Sequence, residues 1–464
     1  MLADEQWPVA RLIPISSASG VEAQERRAAS ALLAVIAAVP EFGHALLKPL
    51  GAPKGKIKSF IEIPFKVNGR SIRPDGIIAV TGRGGKTWSV VVETKVGAAS
   101  VEPDQIDTYL DLAKELNFNG VLSISNQFVT SSSEYPVEVN KRKLRKLSLR
   151  HWSWVNVLTE AVVQKEHRGV SDPDQAFVLN ELIRYMSDPR SGVVSFAGMG
   201  PAWTKVRDAA RDQTLRKNDP EVATIAARWD DLIRYLGLEL TKVLGRDVKQ
   251  VLPRDEKTPA ARQGALKNSL GAVGRLYAEL QIPHASGPLE VVADLRARQV
   301  VVATRLDAPR EGRSKGRVSW LLRQLQDAPE SLKVEAGLGR ATSLAEPLSV
   351  VRDRPEVLYP DTGKEIRRFT LTLTRNMGMK RDSTKGSFAE SVVSTVEDFY
   401  SDVLQKLRPW KASPPKLKKT AEEPSVPEET VVDMPSRAAE QAIENAEAEM
   451  EAMGDEDGGS TSLS

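Results

Sequence analysis

The sequence contains no cysteine. That excludes disulfides and thiolate zinc sites. Histidine is nearly as scarce: His44, His151, His167 and His284 are the only four, and no two stand at a zinc-site spacing. Any metal is therefore expected on oxygen ligands. Long apolar runs are missing too. The richest early stretch, "ASALLAVIAAV", falls well short of the ~20 residues a membrane helix needs. No charged-then-apolar leader pattern opens the sequence. These absences predict a cytoplasmic protein with no membrane partner.

What is present is an ordinary composition for 464 residues, 41% hydrophobic and 27% charged, enough for two or three domains. The net charge of +3 hides an asymmetry. From Thr420 onward there are thirteen acidic residues and one arginine, a net of −12, which leaves +15 on the rest. A basic body with an acidic tail suits a polyanionic partner. It equally suits a globular body carrying a solubilising tail.

Periodicity divides the chain. "VEAQERRAASALLAVIAAV" has helical spacing through Leu32, Val35, Ile36 and Val39. "KSFIEIPFKV" reads as a strand. "GIIAV" and "WSVVVE" read as two more, joined by a turn holding Gly82, Gly84 and Gly85. "EPDQIDTYLDLAKELN" is a helix with Pro103 in its first turn and an apolar stripe through Ile106, Leu110 and Ala113. "GVLSISNQF" is the next strand, followed by one more near "LRHWSW" and a helix in "VNVLTEAVVQKE". A helix between strand runs predicts a mixed α/β sheet.

A Ser-, Gly- and Pro-rich connector covers 187–203. After it come a helix opening at Asp219, a second predicted over "AARQGALKNSLGAVGRLYAEL", a hairpin in "PLEVVADLRARQVVVATRLDA", a strand in "EIRRFTLTLTRNMG" and a closing helix. The predicted organisation is thus an N-terminal domain over 1–186, a linker over 187–203, an α+β domain over 204–410 and a disordered acidic tail over 411–464.

The charged residues at one strand end carry the chemistry. Glu93 and Lys95 lie two apart, so they share a face of their strand, and Thr94 looks the other way. Asp75 opens the neighbouring strand of the same hairpin, and regular pairing brings it to Glu93. Two carboxylates a few ångströms apart repel unless a cation lies between them. Mg²⁺, usually held by one or two carboxylates plus phosphate oxygens, is the natural answer. A lysine beside it suits phosphodiester hydrolysis.

Pro74-Asp75, then Glu93-Thr94-Lys95 closing an apolar strand, resembles the PD-(D/E)xK nuclease superfamily, the restriction-endonuclease-like fold. The resemblance covers roughly residues 20 to 160. It implies a mixed sheet flanked by helices, Asp75 and Glu93 as ligands of Mg²⁺ or Mn²⁺, and Lys95 beside the attacking water. It implies a supporting Gln on the following helix, here Gln105 with Tyr109 four residues on. It also implies an acid from the first helix, for which Glu25 is preferred to Glu22. DNA is the implied partner, and the oligomeric state, a dimer included, stays open. The whole chain also resembles a bacterial group labelled as stress-response proteins, a label without a mechanism.

Each residue has a plainer reading. Asp75 in "PDG" is a common turn residue, Glu93 and Lys95 a surface ion pair, Gln105 and Glu25 solvent-facing polar groups. The basic runs 310–323, 141–146 and 380–385 suit phosphates or solvent. His151, Trp152 and Trp154 suit packing. Two functions follow: a Mg²⁺-dependent DNA nuclease in defence, repair or stress response, or a catalytically silent nuclease-fold protein that binds DNA or a partner. In either, the acidic tail is expected to compete with DNA for the basic surface.

Overall fold

Strand alternation in the first half sorts apolar side chains onto two faces of one sheet. In a computed structural model, which describes residues 7–12, 20–67, 69–129, 135–193, 196–339, 342–360 and 364–411, this sheet has five strands among the described residues. The predicted disordered tail lies outside the described residues, apart from Lys411. Strand β1 (Gly55–Ile61) pairs antiparallel with β4 (Gly76–Gly82), and β4 with β5 (Thr87–Thr94). Strands β6 (Gly120–Ser125) and β7 (Ser148–Ser153) then add in parallel. The mixture follows from the connections: a tight turn joins β4 to β5, whereas helix α3 (Pro103–Glu115) carries the chain from β5 to β6.

Ile78, Val80, Val90, Val92, Leu122 and Ile124 face helices α1 (Gly20–Ala38), α2 (Pro40–Leu47), α4 (Trp154–Val163) and α5 (Pro173–Ser187). Ile77, Ala79, Val91, Val121 and Leu149 face Ile106 and Leu110 of α3. Burial on both faces explains why β5 reads as an unbroken apolar run. Among the described residues no single helix is long and apolar enough to cross a membrane. The apolar stretch of α1 is buried against the sheet.

The predicted strand "KSFIEIPFKV" is broken in the structure. It leaves the sheet at Glu62, where φ is 52°, and resumes as β2 (Phe65–Val67), paired with β3 (Arg70–Ile72) in a small separate hairpin. Pro64 lacks the N–H a continuing ladder would need. In the turn before β5, Gly84 and Gly85 take the positive φ expected of them, at 77° and 76°. Gly82 is extended.

A seven-stranded antiparallel sheet fills the second half. Its members are β8 (Lys249–Val251), β9 (Arg275–Gln281), β10 (Leu289–Asp294), β11 (Gln299–Asp307), β12 (Lys333–Gly337), β13 (Ser343–Pro347) and β14 (Arg368–Asn376), in the order β13-β12-β14-β11-β10-β9-β8. Helices α6 (Trp203–Arg211), α7 (Pro220–Leu244), α8 (Pro259–Val273), α9 (Ser314–Leu322), α10 (Leu348–Asp353) and α11 (Phe388–Asp402) share its apolar core. The helix predicted through "GAVGRLYAEL" stops at Gly274, a left-handed cap at φ 70°. Leu276, Ala278 and Leu280 then alternate into β9. Phe196 and Met199 of the predicted connector are buried in this second core. Helix α4 lies against α7, and His167 just beyond α4 bonds the Lys242 carbonyl at 2.9 Å.

Candidate active site

The register of β4 and β5 sets the site. Gly76 pairs with Val92, so the next position outward sets Asp75 against Glu93. The strands do not splay there, because Asp75 ties their ends together. Its Oδ2 accepts the Thr94 main-chain N–H and the Thr94 hydroxyl, both at 2.7 Å. Thr94, expected to look away, thus turns its hydroxyl onto the aspartate.

Glu93 follows Val91 onto the α3 face, as alternation requires. It is 1% exposed. Its Oε1 accepts from Lys95 Nζ at 2.6 Å, while Oε2 is buried without a hydrogen-bond partner. Tyr109 of α3 lies against this carboxylate, and Gln105 Nε2 donates to the Tyr109 hydroxyl at 3.1 Å. The Gln–Tyr pair therefore does meet the site, with tyrosine as the contact and glutamine behind it.

Lys95 continues the parallel ladder one step past β5, its N–H on the Ile124 carbonyl at 2.8 Å. Its own carbonyl accepts the indole N–H of Trp154 at 2.8 Å. From the opposite layer, α1 brings Glu25 over the sheet end, with Oε2 3.7 Å from Lys95 Nζ. Glu25 Oε1 accepts the Val96 N–H at 3.4 Å. Glu22 does not join them. It is exposed and pairs with Arg26 at 2.7 Å.

Electrostatics follow from this crowding. Burial, and then the Asp75 charge, push the Glu93 carboxyl up to about 7, against the pull of Lys95 and Tyr109. Burial also raises Asp75, although the two Thr94 donors oppose it, and raises Glu25 against the opposing effect of Lys95. Burial alone would lower Lys95. The carboxylates of Glu93, Glu25 and Asp75 outweigh it and hold the ammonium above its usual range. Tyr109 is raised by burial and by Glu93.

Three carboxylates thus converge on one ammonium, and Asp75, Glu93, Lys95 and Glu25 form a single cluster. An orphaned buried carboxylate oxygen costs about 1–3 kcal/mol or more, so the Glu93 Oε2 position favours a proton or a cation. Among the described residues no group of three or more His, Cys, Asp or Glu side chains is arranged to hold a metal by itself.

The basic run at 310–323 proves partly structural. Arg317 is 5% exposed, donates to the Ile366 carbonyl at 2.7 Å and pairs with Glu365 at 3.3 Å. In the run at 141–146, Lys143 pairs with Asp111 at 3.0 Å. His151 packs in the sheet, bonding Ser123 Oγ at 2.9 Å and the Gln127 carbonyl at 3.0 Å. Burial drives it down to about 4, so it is neutral. Sequence reasoning missed two site residues. Thr94 was legible only as the spacer between Glu93 and Lys95, and Trp154 gave no signal beyond an apolar "HWSW".

No family model, no curated protein and no solved structure matches the chain.

Proposed function

We propose that the protein is a divalent-cation-dependent nuclease of the PD-(D/E)xK type, acting on DNA. The observation that carries the reading is the Glu93 carboxylate beside Asp75, buried, with Oε2 unpartnered and Lys95 on its other oxygen. The topology supports the finer fold assignment as well. An antiparallel β1-β4-β5 set runs into a parallel β5-β6-β7 set, with α3 crossing over and α1 contributing an acid.

Asp75 and Glu93 fit Mg²⁺, which takes one or two carboxylates and fills its remaining positions with water and phosphate oxygens. When bound, such an ion supplies Lewis acidity toward a phosphoryl oxygen and lowers the pKa of a coordinated water. The chain's own residues do the rest. Thr94 fixes Asp75 through two hydrogen bonds. Tyr109, backed by Gln105, lies against Glu93. Lys95, held protonated by the surrounding carboxylates, stabilises negative charge building on the phosphate and orients the attacking water. Glu25 keeps the ammonium at the sheet end.

The test is cleavage of supercoiled plasmid and linear DNA with Mg²⁺, with Mn²⁺ and with EDTA, comparing the wild type with a Glu93→Ala/Lys95→Ala variant. Metal-dependent cutting by the wild type alone supports the reading. Equal nicking by both sinks it. Salt-sensitive DNA retention without cutting transfers the assignment to a binding protein.

A further inference from the structure

Beside this cluster a fourth carboxylate is held in an unusual way. Glu62 follows the last residue of β1 with φ 52°, in the left-handed region. Residues bearing a Cβ seldom stay there unless their surroundings enforce it. The turn brings the Glu62 N–H to the Asp75 carbonyl at 3.3 Å, so its backbone abuts the site. Its side chain projects between two guanidinium groups. Arg26 Nε lies 3.0 Å from Oε1, and Arg73 meets Oε2 at 3.1 Å. Arg73 Nε also donates to the Glu62 carbonyl at 3.0 Å, and Arg26 reaches back to Glu22.

Both arginines sit beside proposed site residues in the chain: Arg26 follows Glu25, and Arg73 lies two before Asp75. Their side chains stay 26% and 52% exposed. Partly exposed ion pairs add little stability, so these two do not offset a strained backbone. Two planar guanidinium groups, each on one oxygen of the same anion, are instead the arrangement that recognises phosphate.

We propose that Arg26 and Arg73 form a clamp for a backbone phosphate of the DNA strand approaching the Asp75–Glu93 cluster, and that Glu62 is a built-in placeholder which this phosphate displaces. The inference rests on the nuclease reading and adds a substrate contact and a restraint to it. A strand approaching the cluster must first compete with Glu62, which disfavours loose, nonspecific engagement.

The test measures anisotropy of a short fluorescein-labelled duplex in EDTA across a salt series, with plasmid cleavage in Mg²⁺ run alongside. The proteins are wild type, Glu62→Gln, Arg26→Ala/Arg73→Ala and the triple variant, each checked for folding by thermal melt. Glu62→Gln is expected to bind about tenfold tighter at low salt, as freed cations should. Loss of both arginines is expected to weaken binding and flatten the log K against log salt slope by about 1, the value for one phosphate contact. Glu62→Gln should bring no gain once the arginines are gone. Binding by Glu62→Gln equal to wild type, or a gain that survives without the arginines, overturns the clamp. If cleavage persists alongside that result, the nuclease reading stands alone. If no variant binds or cuts, both fall. If the binding pattern appears without cutting, the clamp holds and the hydrolytic reading falls.

Discussion

The indole of Trp154, the first residue of α4, donates its N–H to the main-chain carbonyl of Lys95 at 2.8 Å. Trp154 is fully buried, so the lysine is located by a helix 59 residues further along the chain as well as by the strand beside it. Replacing Trp154 with Phe keeps most of the packing and orphans that carbonyl. The expected cost is about 1–3 kcal/mol, read from urea unfolding. Any cleavage rate should fall with it, because Lys95 loses one of its two main-chain anchors. An unchanged rate at full folding would show that the anchor does not matter to the lysine.

Asp75 depends in the same way on Thr94. Thr94→Val keeps the shape and the main-chain donor and removes the hydroxyl that reaches Oδ2. About 1 kcal/mol of stability should go. Thr94→Ser, which restores the hydroxyl, should recover most of it. A valine variant as stable as the wild type would mean that the main-chain N–H alone holds the aspartate.

Two buried groups give stability opposite slopes in pH. Glu93 rises from 4.5 to about 7 on folding, so the native state binds the extra proton, and stability present below pH 4.5 is lost as pH climbs to about 7. His151 falls from 6.5 to about 4, so the unfolded state binds the extra proton, and stability present above pH 6.5 is lost as pH drops to about 4. Each shift corresponds to about 3 kcal/mol at most. The two effects largely cancel between pH 4.5 and 6.5. Glu93→Gln should therefore expose a rise in stability with pH across that window that the wild type lacks. Parallel pH profiles for the two proteins would refute the buried, raised Glu93.

If Asp75 and Glu93 take up a cation, it must stabilise the native state. At a Mg²⁺ or Mn²⁺ concentration 100 times the dissociation constant, the gain is about 2.7 kcal/mol. Calorimetric melting should show an upward shift for the wild type, and none for Asp75→Asn/Glu93→Gln beyond that given by added NaCl. A shift of equal size in both proteins would place the cation elsewhere.

Local rules reached this site as far as one hairpin. Residue parity put Glu93 and Lys95 on one face, and a one-step register put Asp75 beside them, because strand geometry is fixed by neighbours in sequence. Glu25 arrives from another layer, and its approach depends on how α1 packs, which alternation does not encode. Trp154 is further still: its bond to Lys95 exists only once β7 lies beside β6. Glu62 was read as mid-strand since "FIEIPF" alternates well, yet Pro64 two residues on removes the ladder donor, and the chain turns out. In the second half, Gly274 ended a helix that the following "RLYAEL" matched equally well as a strand. That stretch carries both periods, and only its place beside β10 decides between them.

The contact of α4 with α7 joins the two sheets at a sensitive place. Trp154 begins α4, and His167, just past its end, grips the last turn of α7. The lysine's carbonyl thus hangs from one end of a short shaft whose other end is fastened to the seven-stranded half.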